Sequence, residues 1–322
     1  MSQPVTSKSE NASGRTAPRS REDLLLLLLV GVLWGSAYPV IREGIVGGAP
    51  PLIFAAARYG LTAVLLVPLA LLTKARRPAR ADLIPVAVFG GVFIVGLYGT
   101  FLYLGEQSTS GGLAAVLAGS AALWSAIIGY NLLPRERFGR AEVIGLIVGF
   151  GGVIALVLPE LDLAQRSTFV GSALVLAAVV IFSAGGVFLR RSSVGAPSLW
   201  TLALQFSVAT AVVGGVAVVL REPLTLGEPS VTLPALAYLI AAPSILGYTI
   251  YFRLHHRVGP NRANIVVYVA PVAGVLVGLL AFGEAVTAIE VGGMILIAAG
   301  LFLVQRGQLL ASKPASNSTG HS

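Results

Sequence analysis

The sequence is most informative in what it lacks. None of its 322 residues is cysteine, so a disulfide framework and a thiolate metal site are excluded. Only 11% of the residues are charged, whereas 56% are hydrophobic, and the mean hydropathy is +0.85. These values lie outside the range of soluble globular proteins. The composition therefore predicts a protein that is largely buried in a membrane.

Motifs for catalysis and for nucleotide binding are also absent. No G-x-x-x-x-G-K-[ST] segment is present to hold the phosphates of ATP. His255 and His256 are adjacent, which does not place them on one helix face as a zinc-binding H-E-x-x-H would. No histidine or acid lies deep in an apolar stretch, so no nucleophile–base pair is expected there. The sequence predicts no cofactor, no metal and no enzyme activity, with a membrane-embedded enzyme or a passive channel or scaffold as the alternatives.

Apolar stretches of about 20 residues, the length that a helix needs to cross about 30 Å of hydrocarbon, recur along the chain. They lie at about 24–41, 51–72, 83–104, 112–133, 141–158, 169–189, 198–220, 233–252, 263–282 and 287–305. Backbone groups in lipid must be satisfied within each helix, and these stretches lack the alternation that is typical of barrel strands. The predicted fold class is an all-α integral membrane protein with ten transmembrane helices.

The basic residues are distributed unevenly between the two sides that ten helices define. If the N-terminus is cytoplasmic, most of the 22 lysines and arginines fall on the inner side. Arg42, Arg166 and Arg221 fall on the outer side, and Arg58 falls within a helix. This positive-inside bias predicts a multi-pass protein of the cell membrane with both termini in the cytoplasm. Because the charges are scattered over short loops, no nucleic-acid partner is expected.

The two halves of the chain repeat one another with a constant offset of 148 residues. The segment PRERFGRAEVIG at 134–145 corresponds to FGEAVTAIEVGG at 282–293, and Tyr103 corresponds to Tyr251. The earlier segment contains three arginines that the later one lacks. Because five helices precede the second copy, it enters the membrane from the opposite side, and the charges follow this inversion. The halves are therefore predicted to be inverted repeats.

The predicted organisation is two five-helix repeats between polar tails. A disordered cytoplasmic tail at 1–22 precedes the first repeat at 23–158, a connecting loop at 159–171 leads to the second repeat at 172–306, and a disordered cytoplasmic tail follows at 307–322. In secondary transporters, inverted repeats surround a site near the midplane, and rocking of the halves exposes that site to each side alternately.

Three segments carry a resemblance to a known family. They are LLVGVLWGSAYPVIREG at 28–44, FAAARYGLTAVLLVPLALL at 54–72 with its early arginine, and VYVAPVAGVLVGLLAFGEAVTAIEVGGMILIAAGLFLV at 267–304. With the ten stretches and the repeat, they make residues 24–305 resemble the EamA-type ten-helix transporters of the drug/metabolite transporter superfamily. The resemblance implies carriage of small metabolites, amino-acid-like compounds or toxic organic compounds, often outward and without ATP hydrolysis. One departure is that the proline of the ninth helix is present as Pro271, whereas the fourth helix has Leu123 at the corresponding position.

Polar and aromatic side chains that lie four residues apart share a helix face and are the candidates for contact with a substrate. Such pairs occur in the first, fourth and ninth helices, and single candidates occur in the second, third and eighth. The predicted substrate-binding residues are Trp34, Tyr38, Arg58, Tyr98, Trp124, Tyr248, Asn264 and Tyr268. Ordinary packing or anchoring at the membrane interface is the alternative for each aromatic residue.

Arg58 is the one basic residue well inside a predicted helix, about 12 Å from the outer end at roughly 1.5 Å per residue. A charge at that depth costs a few kcal/mol unless it is paired or faces a wet cavity. The guanidinium either binds the acidic group of a small-molecule substrate or forms a salt bridge to Glu43 or Glu106 or caps a carbonyl. The first explanation predicts a substrate with one acidic group and an apolar body.

Glu136 and Glu284 precede the fifth and tenth helices, where a carboxylate suits the positive end of the helix dipole. We expect both to be structural caps rather than proton-coupling residues, and we expect Pro271 to be structural. The G-x-x-x-G segments at 145–149 and 274–278 allow close helix contact, either within the bundle or between the protomers of a homodimer. The expected partners are the lipid bilayer, a small-molecule substrate and, on the second alternative, another copy of the chain.

Reporter fusions test the predicted topology. Fusions after Lys74 and Arg191 are expected to report the cytoplasm, and fusions near Leu161 and Gly227 the outside, because the bias of basic residues orients the loops. The measurement is the activity of a reporter enzyme that works on one side of the membrane alone. A single loop on the opposite side would contradict the ten-helix topology and, with it, the inverted repeat.

Overall fold

The computed structural model describes residues 21–132, 139–157, 166–192, 194–195, 197–251, 254 and 265–311. Within these ranges the regular structure is entirely helical. The ten helices are α1 (Arg21–Val46), α2 (Pro51–Leu72), α3 (Arg80–Gly105), α4 (Gly111–Tyr130), α5 (Arg140–Val157), α6 (Arg166–Arg191), α7 (Leu199–Val219), α8 (Pro229–Tyr251), α9 (Ile265–Phe282) and α10 (Ala288–Ala311). Nine of these described helices are long and apolar enough to cross a membrane, and the described apolar part of α9 is shorter. The predicted fold class is confirmed.

Two helices are interrupted at small residues, and hydroxyl groups satisfy the backbone there. α1 breaks at Ser36, whose Oγ donates a hydrogen bond to the carbonyl oxygen of Leu33 at 3.1 Å. α4 breaks at Gly119 and Ser120, and Ser120 Oγ donates to the carbonyl oxygen of Leu117 at 2.7 Å. At a break the regular pattern of backbone hydrogen bonds is lost, and the serine hydroxyls supply further donors. The carbonyl oxygen of Leu117 also accepts the backbone N–H of Ser120, at 3.0 Å.

α3 and α8 each contain wide, π-helical turns, at Val86–Leu97 and at Ile240–Gly247. The offset of 148 residues makes these two stretches overlap, so the widening is shared by both repeats. In α8 the cause is Pro243, which has no N–H to donate to the carbonyl of Leu239 four residues earlier. Ser244 Oγ donates to that carbonyl instead, at 2.8 Å. Wide turns of this kind are frequent at functional sites.

The packing of the helices follows a pseudo-two-fold relation between the repeats. α5 packs on α10, α2 on α7 and α4 on α9, so each of these pairs joins a helix to its own counterpart. Other contacts occur twice, once in each form of the repeat. α1 packs on α9, and the corresponding pair, α6 and α4, also packs together. Likewise, α3 packs on α6, and the corresponding pair, α8 and α1, packs together. A pattern that maps onto itself when the halves are exchanged is what two inverted five-helix repeats produce.

A glycine seam, formed by Gly145, Gly149 and Gly152 of α5 and by Gly293 and Gly300 of α10, holds the fifth and tenth helices together. A Cβ atom on Gly145 would lie 2.6 Å from the carbonyl oxygen of Gly300, and one on Gly152 would lie 2.8 Å from that of Gly293. The offset of 148 residues exchanges these two contacts. The backbones approach this closely because the positions carry no side chain.

The second G-x-x-x-G segment also faces other parts of the bundle. Gly274 lies against Ala115 of α4, and Gly278 lies against the side chain of Glu284. Both segments are thus used for contacts within the chain. The side of the membrane on which the termini lie, the boundaries of the two repeats and the homodimer stay predictions.

Replacing Gly145 by alanine is expected to lower the stability of the bundle, because the new methyl group meets backbone atoms of α10 that cannot retreat alone. Overpacking of this kind costs about 1–3 kcal/mol. The melting temperature of the detergent-purified protein measures the effect. Gly151→Ala is the matched control, since it lies on the same helix and nothing is within 4 Å of its added Cβ. Equal melting temperatures for the two variants would contradict the seam.

Candidate functional site

Arg58 of α2 lies between the two repeats and is only 9% exposed. Its Nε and Nη2 donate hydrogen bonds to Ser244 Oγ of α8 at 3.2 and 3.1 Å, and its Nη1 donates to Tyr103 Oη of α3 at 3.2 Å. Among the described residues no carboxylate forms an ion pair with it, so the salt bridge to Glu43 or Glu106, which was one of the alternatives, is not formed. The guanidinium therefore keeps its charge in contact with neutral hydroxyl groups.

The local sequence of α8 explains why Ser244 can serve this guanidinium. Pro243 removes a backbone donor, so the Ser244 hydroxyl turns its hydrogen towards the carbonyl of Leu239. The two lone pairs of Ser244 Oγ are then free to accept the two hydrogen bonds from Arg58. The carbonyl of Pro243 itself accepts a hydrogen bond from Trp34 Nε1 at 3.1 Å. One helix irregularity thus positions residues from α1, α2 and α8.

Aromatic rings surround Arg58 in a continuous series of contacts. The guanidinium lies 5.7 Å from the ring centre of Tyr59, within reach of a cation–π interaction. The ring of Tyr59 contacts Phe206 of α7 at 5.6 Å, and Phe206 contacts Tyr248 of α8 at 6.1 Å. Tyr248 then contacts Trp34 at 5.0 Å. The structure thus joins three of the predicted site residues, Trp34, Arg58 and Tyr248, in one cluster.

Tyr38 and Tyr98 form a second pair of predicted residues that the structure brings together. Their hydroxyl oxygens are 2.9 Å apart, and either group can be the donor. The ring of Tyr98 also contacts Phe182 of α6 at 5.3 Å. The pair connects α1 of the first repeat to α3, one to two turns from Tyr103 on the same helix.

Trp124 and Tyr268 lie elsewhere in the bundle. Among the described residues, neither Trp124 Nε1 nor Tyr268 Oη has a hydrogen-bond partner, although both atoms are buried. Trp124 makes its edge-on ring contact with Phe150 of α5, at 4.7 Å. Tyr268 lines a small cavity of about 40 Å³ beside Gly119 and Pro271. These two residues are candidates for hydrogen bonds to a substrate, but no described ring contact joins them to the Arg58 cluster.

Two predicted residues, Asn264 and Glu136, lie outside the described residues. Pro271 is within α9 and fills the break of α4, because a Cβ atom on Gly119 would lie 2.8 Å from Pro271 Cγ. The corresponding position in the other repeat has Leu123 in place of a proline, and Leu123 is fully buried. The proline thus fits an irregularity in its partner helix.

Glu284 caps a helix other than the one expected. Its Oε1 and Oε2 accept hydrogen bonds from the backbone N–H groups of Gly111 and Gly112, at 2.9 and 2.8 Å, at the beginning of α4. The helix that follows it, α10, begins with its own cap, in which Thr287 and Glu290 exchange hydrogen bonds. Glu284 therefore joins the second repeat to the first.

Several residues at the site carry no sequence signal of their own. Ser244, Tyr59 and Phe206 are not among the predicted site residues, and Tyr103 stands out in the sequence only because the repeat matches it to Tyr251. Their common feature in the sequence is proximity to an irregularity or to Arg58, as in the dipeptide Arg58–Tyr59 and the segment Pro243–Ser244. In the part of the chain that the structure describes, no group of three His, Asp or Glu residues could hold a metal ion.

Comparison with known proteins adds independent findings. The model of the EamA-like transporter family matches residues 23–158 and again residues 169–306. A Salmonella typhimurium protein named probable amino-acid metabolite efflux pump is 27% identical over 297 residues, which cover 88% of this chain and 95% of the relative. The Escherichia coli uncharacterized inner membrane transporter YedA is 28% identical over 290 residues, which cover 89% of this chain and 92% of the relative.

A solved crystal structure also matches, with a TM-score of 0.61 over 90% of this chain and 99% of that chain. The sequence identity between the two is 20%, so the likeness is one of fold. The match covers both five-helix halves.

Replacing Glu284 by glutamine is expected to lower the melting temperature of the purified protein. The amide keeps one acceptor oxygen for Gly111 or Gly112 and loses the negative charge at the positive end of α4, a contribution of about 0.3–1 kcal/mol. Glu43→Gln is the matched control, because Glu43 carries the same charge but lies near the end of α1, away from the beginning of any helix. Transport per folded molecule should survive in both variants. A well-folded Glu284→Gln protein without transport would contradict a capping role.

Proposed function

The chain belongs to the EamA-like transporter family and is a membrane transporter, and from this premise we propose that it exports a small organic metabolite by alternating access. The proposed substrate has an acidic group and an apolar body, as an amino-acid-like compound does. The observation that carries the substrate class is Arg58, a buried guanidinium between the two repeats with no described carboxylate partner. A buried charge without a counter-charge gains most from a ligand that brings one.

The hydrogen-bonding capacity of Arg58 supports an anionic group. A guanidinium has five N–H donors, and three of its hydrogen bonds go to the hydroxyls of Ser244 and Tyr103. A carboxylate accepts two parallel, charge-assisted hydrogen bonds from such a fork, and these are about twice as strong as bonds between neutral groups. The substrate acid would therefore compete successfully with the hydroxyls.

The aromatic surroundings support an apolar body. Trp34, Tyr59, Phe206 and Tyr248 come from four different helices and provide flat surfaces next to the guanidinium. Aromatic side chains bury large apolar areas while Trp and Tyr keep a polar edge. A substrate with its acid at Arg58 would lay its apolar part along these rings.

The contacts of Arg58 support alternating access. They join α2 and α3 of the first repeat to α8 of the second, so rocking of one repeat against the other changes them directly. Arg58 and Tyr103 are both buried, as expected for a closed stage of the cycle. The wide turns of α3 and α8 overlap when the repeats are aligned, and helix geometry is least regular there. The outward direction is proposed from the similarity to the Salmonella protein named as an efflux pump.

Transport by purified protein in liposomes tests the substrate class. A panel of amino-acid-like acids, their amides and neutral analogues is offered, and Arg58→Lys is compared with the wild type. The ammonium group cannot copy the fork, so uptake of acidic substrates should fall about 10- to 100-fold, since hydrogen bonds to charged groups contribute about 1.5–3 kcal/mol. Arg76→Lys, at an exposed loop position, is the matched control and should transport normally. Saturation with substrate concentration distinguishes a carrier from a channel.

Thiol labelling gives a readout that does not depend on transport. The chain has no native cysteine, so Arg58→Cys and Trp34→Cys each introduce a single thiol. A water-soluble reagent should reach each thiol, and substrate should slow the reaction of the Trp34→Cys thiol, because that variant keeps Arg58 to bind the acid. An Arg58→Cys thiol that is unreactive from both sides, together with normal transport by Arg58→Lys, would place the substrate elsewhere and make Arg58 a packing residue.

A further inference from the structure

Glu106 is a buried carboxyl group without a described partner. It follows directly after α3, where its backbone N–H donates to the carbonyl of Leu102 at 2.9 Å. The residue has 0% exposure, and among the described residues neither Oε1 nor Oε2 has a hydrogen-bond partner. The carboxylates of Glu222 and Glu284, in contrast, accept two or more backbone hydrogen bonds each. Among the described residues, Glu106 thus differs from Glu222 and Glu284, whose carboxylates are satisfied by the N–H groups of a helix end.

The repeat shows that the fold does not require an acid at this place. The offset of 148 residues puts Leu254 of the second repeat at the position of Glu106, and Leu254 is only 1% exposed. An apolar side chain thus fills the equivalent buried position without loss of the fold. An unpaired ionised carboxylate costs several kcal/mol in such surroundings, and the group avoids that cost by binding a proton.

Charged groups from three directions surround Glu106, yet none forms an ion pair or a hydrogen bond with it. They are Glu284, whose carboxylate reaches the beginning of α4, Arg42 of α1, which is followed by Glu43, and Arg58 of α2. Arg42 Nη1 donates instead to the carbonyl oxygen of Gln107 at 3.0 Å. α6 packs against this end of α3 with Gly171, Ser172 and Val175, and its described side chains in this region are uncharged.

The balance of these influences favours the neutral acid. Burial raises the pKa of Glu106 well above its ordinary value, the negative charge of Glu284 adds to the increase, and Arg42 and Arg58 oppose it. The neutral form is thus tied to the closed arrangement, because contact with water would remove the largest cause.

Glu106 is also connected to the Arg58 cluster through its own helix. Tyr103, which accepts the hydrogen bond from Arg58, precedes it by three residues and therefore lies on the same helix face. A Cβ atom on Gly105 would lie 2.7 Å from the carbonyl oxygen of Gly171, so the end of α3 is packed tightly on α6. We call the contact of Gly105 and Thr109 with Gly171 and Ser172 the α3–α6 corner, and Glu106 follows Gly105 directly in the chain.

We propose that Glu106 is a proton-binding site that controls closure of the α3–α6 corner: the corner is closed while the carboxyl group carries a proton and opens when the proton leaves. The step is the transfer of one proton from the Glu106 carboxyl group to water, and its reversal. It rests on the proposed function only in that opening of the corner belongs to the transport cycle. By linkage, a lower pH favours the closed arrangement and a higher pH the open one.

Labelling of a reporter thiol against pH tests the proposal. Ser172→Cys puts the only thiol of the chain at the corner, where Ser172 has 0% exposure, and Leu224→Cys, at a position 91% exposed, corrects for the pH dependence of the reagent. The corrected rate should rise with pH, approaching tenfold per pH unit, since one proton is released. With Glu106→Gln, which copies the neutral acid, the rate should stay low and flat. A rise that is unchanged by Glu106→Gln, or no rise in the otherwise native chain, would overturn the proposal.

Neighbouring charges provide a readout that a purely structural role would not move. Glu284→Gln removes a negative charge and should shift the midpoint of the labelling curve to lower pH, whereas Arg42→Gln removes a positive charge and should shift it to higher pH. Lys74→Gln, on an exposed loop, should leave the midpoint unchanged. If the chain with native charges and the Glu284→Gln, Arg42→Gln and Lys74→Gln variants all had the same midpoint, Glu106 would not be the proton-binding group. This outcome can be read even if Glu106→Gln fails to fold.

The proposal also predicts the direction in which the melting temperature changes with pH. A carboxyl group whose pKa is raised in the folded state contributes stability at low pH, and this contribution is lost as the pH rises through the folded-state pKa. The melting temperature of the native chain should fall over that range, and that of Glu106→Gln should not. None of these measurements needs a substrate, so an Arg58→Lys protein that transports normally would contradict the proposed substrate site and leave the proton site standing.

Discussion

No water is available in the hydrocarbon of a bilayer, so every backbone N–H and C=O group there must find a partner within the protein. This constraint explains the all-helical fold and also the details at which the helices depart from regularity. Where a helix is interrupted, the hydroxyls of Ser36, Ser120 and Ser244 supply hydrogen-bond donors beyond those of the backbone. Where α2 and α4 begin, the carboxylates of Glu222 and Glu284 accept hydrogen bonds from backbone N–H groups. Both carboxylates come from the second repeat, so satisfying the first repeat also joins the two.

The candidate site follows from the same constraint. Ser244 repairs the gap that Pro243 leaves in α8, and the same oxygen accepts the guanidinium of Arg58. The site is asymmetric although the scaffold is symmetric, since the position equivalent to Arg58 in the second repeat is Phe206. One repeat provides the cation, and the other provides a ring of the aromatic series beside it.

The sequence predicted the fold well because its signals are local or periodic. Apolar length located the helices, and the constant offset related the halves. Arg58 was found because a charge within an apolar stretch is conspicuous. Its partners could not be found in the same way, because Ser244 is 186 residues away and a single serine in an apolar helix is not conspicuous. Glu284 shows the same limit: its cap was expected from helix-end chemistry, but the sequence does not tell which helix end lies nearest in space.

The glycine seam between α5 and α10 has a consequence for the origin of such a chain. Exchange of the halves maps the contacts of the seam onto one another. The interface is therefore isologous, which means that both halves use the same surface to form it. Two separate copies of a five-helix chain, inserted in opposite orientations, could form the same seam without any change in it. Gene fusion would then need only to fix the orientation of each copy, and the redistribution of a few arginines between loops does that. The glycine seam is thus a contact that two separate copies could already make, whereas the position shared by Arg58 and Phe206 differs between the halves.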